Sequence, residues 1–549
     1  MFNEILDLTK KLVSISSVNG SIGEKNIGCF IEKYFKDIPY FKTHSSRVIV
    51  QKLKNDPLER QNVIVLLKGE KEESNKTIIF HGHTDTVGVE DFGNLSEYAF
   101  DCDKLMKKLK EITLPEEVEK DLMSGDYLFG RGACDMKSGD AVFMVLIKHL
   151  SEKVKELKGN IIAMFNPVEE NLHTGIIEAR EILEQLQEKF NLKYELAINN
   201  DYICPLYPND TTRHVYTGSV GKILPCFYIQ GKETHVGQCF EGFDASLTAS
   251  ELVKLVNLNT DFCEAYNGEY TLPPSALKMK DLKNEYNVQT SFNSFVYFNY
   301  FIHNASINEI MKKLYDVSFR ALNNTEKIIN DRYKDYCRLS NMEYSKINYE
   351  KQVLSYNELF KKAEEKCGYN LSKLIEEMTD RLIKENVDKR EIPMNIVRKL
   401  CKIAQINIPT IVIFFAAPYC PHNTLKKEDK KEKQLFIDIE NILDEFGKES
   451  NEKYQLHQFF PSLTDSSYLK IDDDEESINL LINNFPSYEK LYNVPLDKIK
   501  KLNISAINYG CFGKDAHKWT ERVYMPYSFN VLPRLILKTI NYFFDEKEN

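Results

Sequence analysis

An α/β fold is predicted by three features of the sequence. Runs with helical spacing alternate with short β-branched runs, the strand-like runs turn abruptly polar at their ends, and those ends carry His, Asp or Glu. Residues 2–13 place Phe2, Ile5, Leu6, Leu8, Leu12 and Val13 at the spacing of an amphipathic helix. A polar turn over 14–23 leads to a second helix through Ile27, Phe30, Ile31 and Phe35. Residues 62–67 and 77–80 read as buried strands, 141–150 as an apolar helix, and 160–165 and 196–198 as further strands. Such alternation is the signature of a layered α/β architecture.

Composition narrows the class. At roughly 150 residues per domain, a chain of 549 residues allows two to four domains. Hydrophobic residues at 42% and charged residues at 28% are typical of a soluble globular protein. The net charge of −10 is spread along the chain, which leaves no electrostatic footprint for nucleic acid or an anionic membrane. No run approaches the ~18 apolar residues of a membrane-spanning helix. The N-terminus has acids where a signal peptide has its basic start, so a cytoplasmic protein is expected. The 12 cysteines are scattered without a CxxC pair and read as reduced, mostly buried thiols.

The chemistry sits at the strand ends. After Phe80 come His81, His83 and Asp85 on alternate positions, which share a face in an extended chain. A histidine with an aspartate nearby suits a metal ligand whose tautomer is fixed by a partner, although a satisfied polar strand end has the same composition. Gly130-Arg131-Gly132 makes a tight turn that delivers Asp135 just before an apolar helix, as a ligand or as a helix cap. Glu169 and Glu170 end an apolar strand and point to opposite sides, so one can bind metal while the other takes a proton from water. Asn199, Asn200 and Asp201 end the next strand. In open α/β sheets this edge is where ligands bind. Oxygen and imidazole donors without cysteine suit zinc, manganese or cobalt in a catalytic site.

Together His81-Gly82-His83-Thr84-Asp85, Gly130-Arg131-Gly132-Ala133-Cys134-Asp135-Met136-Lys137 and Glu169-Glu170 resemble the signature of the co-catalytic zinc exopeptidases and deacylases. That family includes aminoacylase, carboxypeptidase G, succinyl-diaminopimelate desuccinylase and tripeptidase. The resemblance implies a catalytic domain with a mixed central sheet flanked by helices, interrupted by an α+β, ferredoxin-like lid. The corresponding boundaries are 1–212 and 353–549 for the catalytic domain and 213–352 for the lid and dimerisation domain. Residues 355–405 would be a helical insertion, with 409–417 returning as a strand to the catalytic sheet.

By the same resemblance His83 and Asp201 would bind one metal, Glu170 the other, Asp135 would bridge both, and His517 would be the fifth ligand. Asp85 would orient His83 and Glu169 would be the general base. His235, on the lid, would stabilise the oxyanion, in the family often in the active site of a partner subunit of a homodimer. In Thr464-Asp465-Ser466-Ser467, Ser467 stands where some members have an arginine that grips a substrate carboxylate, while His422 reads as a structural turn residue. The implied activity is hydrolysis of an amide or peptide bond in an N-acyl amino acid or short peptide, with two divalent ions, most simply zinc, in the setting of arginine utilisation. The competing expectation is a non-hydrolytic metal- or metabolite-binding protein of the same fold. Neither reading includes a nucleic-acid or membrane partner.

Overall fold

A computed structural model describes residues 1–367 and 370–545. The chain forms two compact units: Met1–Val220 with His422–Ile471 and the chain from Pro495 onward, and Gly221–Pro421 with Asp472–Val494.

The first unit holds an eight-stranded mixed sheet. Its order is Val48–Lys52, Gln61–Lys68, Asn160–Asn166, Lys76–His83, Lys193–Asn199, Ala506–Asn508, Arg213–Tyr216 and Tyr454–His457. The Lys76–His83 strand runs parallel to both neighbours, with His83 opposite Asn166 and His81 opposite Asn199. Ala506–Asn508 extends the parallel set beside Lys193–Asn199. Strands covered on both faces read as unbroken apolar runs. That is why Ile78, Ile79 and Phe80 show no alternation and are all fully buried. The Lys137–Glu152 helix is buried along most of its length, and its Phe143 ring stacks on Phe80 with centroids 4.5 Å apart. The opening helix, Phe2–Val13, buries Ile5, Leu8, Leu12 and Val13 in the same core.

The second unit is built on a sheet ordered Ser275–Asp281, Asn293–Ile302, Pro225–Gln230, Thr410–Phe415 and Gln352–Ser355. The first four strands pair antiparallel and the last pair is parallel. Here the structure corrects the expectation for 409–417, because this strand belongs to the second unit's sheet and not to the catalytic one. All six residues of Thr410–Phe415 are buried. An apolar strand of this kind is satisfied by pairing on both edges, which Pro225–Gln230 and Gln352–Ser355 supply. The helical stretch after 355 belongs here too. Tyr356–Lys366, Leu371–Lys384 and Glu391–Ile403 bury Leu359, Ile375, Ile392 and Val397 against Val412 and Phe414.

Residues 213–230 form four short strands, two in each unit, and the chain passes from one unit to the other at Val220 and Gly221. The helix from Ile307 runs to Leu339, its start fixed by a capping box between Ser306 and Glu309. Among the described residues no helix is long and apolar enough to cross a membrane.

Candidate metal centre

His83 ends its strand with Nε2 2.9 Å from Asp135 Oδ1. On the far side of the ring, Nδ1 lies 3.1 Å from the main-chain oxygen of Asp85, whereas the Asp85 carboxylate is 3.8 Å away. That carboxylate has another task. It accepts the main-chain N–H of Glu169 and of Glu170, each at 3.0 Å, and the Asn19 amide at 3.0 Å. Asp85 thus steadies His83 through its carbonyl and fastens the two-glutamate loop through its side chain.

Asp135 Oδ2 lies 3.1 Å from His517 Nε2, which is 2.8 Å from Glu170 Oε1. Two groups of ligand atoms, His83–Asp135–Asp201 and Asp135–Glu170–His517, each fall within 4.8 Å and share Asp135. A third group, His83–Glu169–Glu170, places Glu169 beside them. The structure therefore brings together His83, Asp135, Glu169, Glu170, Asp201 and His517 from five segments of the first unit. His235 lies in the second unit, on an exposed stretch where its Nδ1 accepts the Gly237 N–H at 3.0 Å.

The charges test whether a cation fits. Burial, reinforced by Asp135, pushes the Asp201 carboxyl up to about 8, and burial raises Glu170 and carries Glu169 well above the ordinary glutamate range. Burial disfavours a charged imidazole at His517, yet its bonds to Asp135 and Glu170 overcome this and lift it to about 11. His83 is likewise raised by Asp135, Glu169 and Asp201 against the effect of burial. Protons on these groups offset a charge cluster that a divalent cation would neutralise directly. Cys134, next to Asp135, is held as a thiol by burial and adds no sulfur ligand. The oxygen and imidazole donors fit zinc, manganese or cobalt.

A buried ion pair holds this edge in place. The Arg131 side chain is fully enclosed and gives Nη1–H to Glu521 Oε2 at 2.8 Å, Nη2–H to Asp91 at 2.7 Å and Nε–H to the Gly88 carbonyl at 3.0 Å. The other Glu521 oxygen accepts the N–H groups of Cys134 at 3.0 Å and Asp135 at 3.2 Å. Glu521 thus fixes the turn that aims Asp135 and anchors the loop bearing His517. Gly132, in that turn, has φ +78 and a Cβ there would lie 2.7 Å from Thr86 Cγ2. Glu521→Ala is expected to destabilise the protein by about 3–5 kcal/mol, because it strands a buried guanidinium. Thermal unfolding checks this, and an unchanged midpoint would contradict it.

Residues 79–429 match the model of peptidase family M20/M25/M40. The chain belongs to this family. It is 39% identical to protein RocB of Bacillus subtilis, over 97% of this chain and 93% of RocB. Among solved structures, a tripeptidase from Staphylococcus aureus aligns with TM-score 0.52 at 13% identity, over 100% of this chain and 99% of that one. Aminopeptidase PepT from Bacillus cereus aligns with TM-score 0.51 at 12% identity, over 99% of both chains. At such identities these two structures show the fold. As an M20 family member the protein is a metallopeptidase or amidohydrolase, a metal-dependent hydrolase of peptide or amide bonds.

Two further residues of this M20 site carry little signal in the sequence. His173 Nδ1 lies 3.1 Å from Asp465 Oδ1 and 3.8 Å from Glu169 Oε1, and all three side chains are nearly enclosed. His173 precedes the Thr174–Phe190 helix, where a lone histidine in a polar turn has no distinguishing pattern. Ser467 is buried, with its Oγ 2.8 Å from Ser219 Oγ. His422 is buried where the chain re-enters the first unit.

Proposed function

We propose that the protein hydrolyses a small amide or peptide substrate, an N-acyl amino acid or short peptide, at a two-metal centre with Glu169 as general base. The observation carrying this reading is that two groups of ligand atoms share the Asp135 carboxylate with Glu169 at their side. His83, Asp135 and Asp201 would hold one divalent ion, and Asp135, Glu170 and His517 the second. Zinc suits these donors best, and manganese and cobalt accept the same set. When bound, such a pair lowers the pKa of water and polarises a carbonyl.

The chain's own groups do the rest. A Glu169 carboxylate oxygen takes a proton from the attacking water and returns it to the leaving amine nitrogen. The Asp85 carboxylate holds the Glu169 and Glu170 main chain by accepting their two N–H hydrogen bonds, which keeps the base beside the ligands. His235 spends its Nδ1 lone pair on the Gly237 N–H, so its neutral ring carries the proton on Nε2 and can donate to a developing oxyanion. Whether it serves its own chain or a partner in a homodimer, the donor is the same. An aspartate at 201 and a serine at 467 favour an aminopeptidase-like or deacylase substrate over one gripped by its carboxylate. Arginine utilisation is the setting that the resemblance implies.

Chelation is expected to abolish turnover on a panel of N-acyl amino acids and di- and tripeptides, and zinc, manganese or cobalt to restore it, with about two ions per chain by elemental analysis. Turnover unaffected by complete metal removal would end this reading. Loading should also release protons. Without metal the neighbouring carboxylates raise the proton affinity of His83 and lift His517 to about 11, and burial pushes Asp201 up to about 8, whereas ligation requires their unprotonated forms. Calorimetric titration in buffers of different ionisation enthalpy reads this as net release, with apparent affinity rising as pH rises; proton uptake would contradict the assigned ligands.

A further inference from the structure

The loop that carries the two glutamates closes on itself in an unusual way. Val168 and His173, at its two ends, have φ of +74 and +54, and the His173 N–H donates to the Val168 carbonyl at 2.8 Å. A positive φ is a marked outlier for a β-branched residue such as valine, and strain of this kind concentrates at working sites. The effect is to turn the His173 ring back over the loop toward Glu169.

Asp465 meets the ring there. A carboxylate accepts, so the 3.1 Å contact places the proton of His173 on Nδ1, and that same Nδ1–H faces Glu169 Oε1 at 3.8 Å. The second Asp465 oxygen is buried and has no hydrogen-bond partner among the described residues. Tyr468 packs on the imidazole with centroids 5.1 Å apart, which fixes the ring plane. Asp465 is itself tied to the histidine strand, because its neighbour Ser466 bonds His81 Nε2 at 3.1 Å. Glu169, His173 and Asp465 thus form a row of three buried side chains, with a hydrogen bond between His173 and Asp465 and a 3.8 Å contact between His173 and Glu169.

We propose that His173, oriented by Asp465, is a positioning residue for Glu169: the positive Nδ1 edge of its ring, 3.8 Å from Oε1, attracts the carboxylate of the base and favours the rotamer that meets the attacking water. This rests on Glu169 being the general base. The physical reason is that Glu169 is an enclosed carboxylate with Glu170 and Asp465 close by. Like charges at such spacing drive a flexible side chain apart unless a donor holds it. His83 also lies near Glu169 but is bonded to Asp135, and His517 is bonded to Asp135 and Glu170, whereas His173 faces Glu169 from the same loop. Asp465 plays toward His173 the part that an outer carboxylate plays toward a histidine ligand, setting tautomer and orientation.

The test uses the metal-loaded protein and the panel substrate it turns over fastest. His173→Ala is expected to lower kcat by about 10–100-fold with KM and metal content unchanged. His173→Asn, which tolerates the left-handed backbone and keeps a side-chain N–H, should recover part of that loss. Adding His173→Ala to Glu169→Gln should cost nothing more, because the positioned group is already disabled. An independent, multiplicative loss in the double variant, or a kcat for His173→Ala equal to wild type, overturns the proposal. Near-normal turnover by Glu169→Gln alone overturns the general-base reading instead.

A second measurement needs no substrate. In histidine-selectively ¹⁵N-labelled protein, the resonance lost in His173→Asn should be an Nδ1–H signal that shifts in both Asp465→Asn and Glu169→Gln. A signal indifferent to Glu169→Gln refutes the contact on which the proposal stands.

Discussion

Glu169→Gln is expected to leave the fold and the metal content intact and to lower kcat by about 10²–10⁴-fold. Glutamine has the shape of glutamate, and the main-chain N–H of residue 169 still donates to Asp85. The five residues assigned as ligands are also untouched, so nothing that builds the site is removed. What disappears is the only property that the mechanism asks of this side chain, a free carboxylate oxygen able to take a proton and give it back. Burial raises Glu169 above the ordinary glutamate range, while the nearby His173 and His83 oppose that rise. An enclosed carboxylate with a raised proton affinity suits the acceptance and return of a proton. Elemental analysis and steady-state kinetics on the same preparation check the prediction. Full metal content with turnover within about tenfold of wild type would remove Glu169 from its role, since loss of a general base exceeds that margin.

The second large effect is expected at Asp135. Its two oxygens face different imidazoles, His83 at 2.9 Å and His517 at 3.1 Å, and it is the member common to both ligand groups. Asp135→Ala should therefore abolish loading of both ions and remove turnover altogether, whereas Asp201→Ala touches one group and should spare part of the metal content. An ion that binds the folded state stabilises it by mass action. Added zinc should then raise the unfolding midpoint of metal-free wild type and leave that of Asp135→Ala where it was. A zinc-dependent rise of wild-type size in Asp135→Ala would show that Asp135 is not the shared ligand.

Much of this site is legible in the chain because its parts are short and local. A buried parallel strand must be apolar along its length, so the abrupt change at His81 to Asp85 marks a strand end, and the same change recurs at Glu169 and Asp201. Three such ends at one edge of a sheet already imply convergence. His517 has no strand to announce it and reads as a candidate only through the glycine-rich loop before it and Glu521 after it. His173 carries no pattern at all. It matters because two positive-φ residues turn it toward Glu169 and because Asp465, 292 residues away, meets it there.

The sequence by itself determined the α/β class, the residue types offered as candidate metal ligands and the positions of the strand ends, since each follows from local hydrophobic period and residue chemistry. Only the tertiary structure decided where Thr410–Phe415 belongs, because an apolar run does not name its neighbours and edge pairing does. It likewise decided that Asp85 holds the Glu169–Glu170 loop by its carboxylate and His83 by its carbonyl, a choice that depends on ångström-scale distances between separate segments. Local pattern fixes what a residue can do; the partner it meets across the fold fixes which of those things it does.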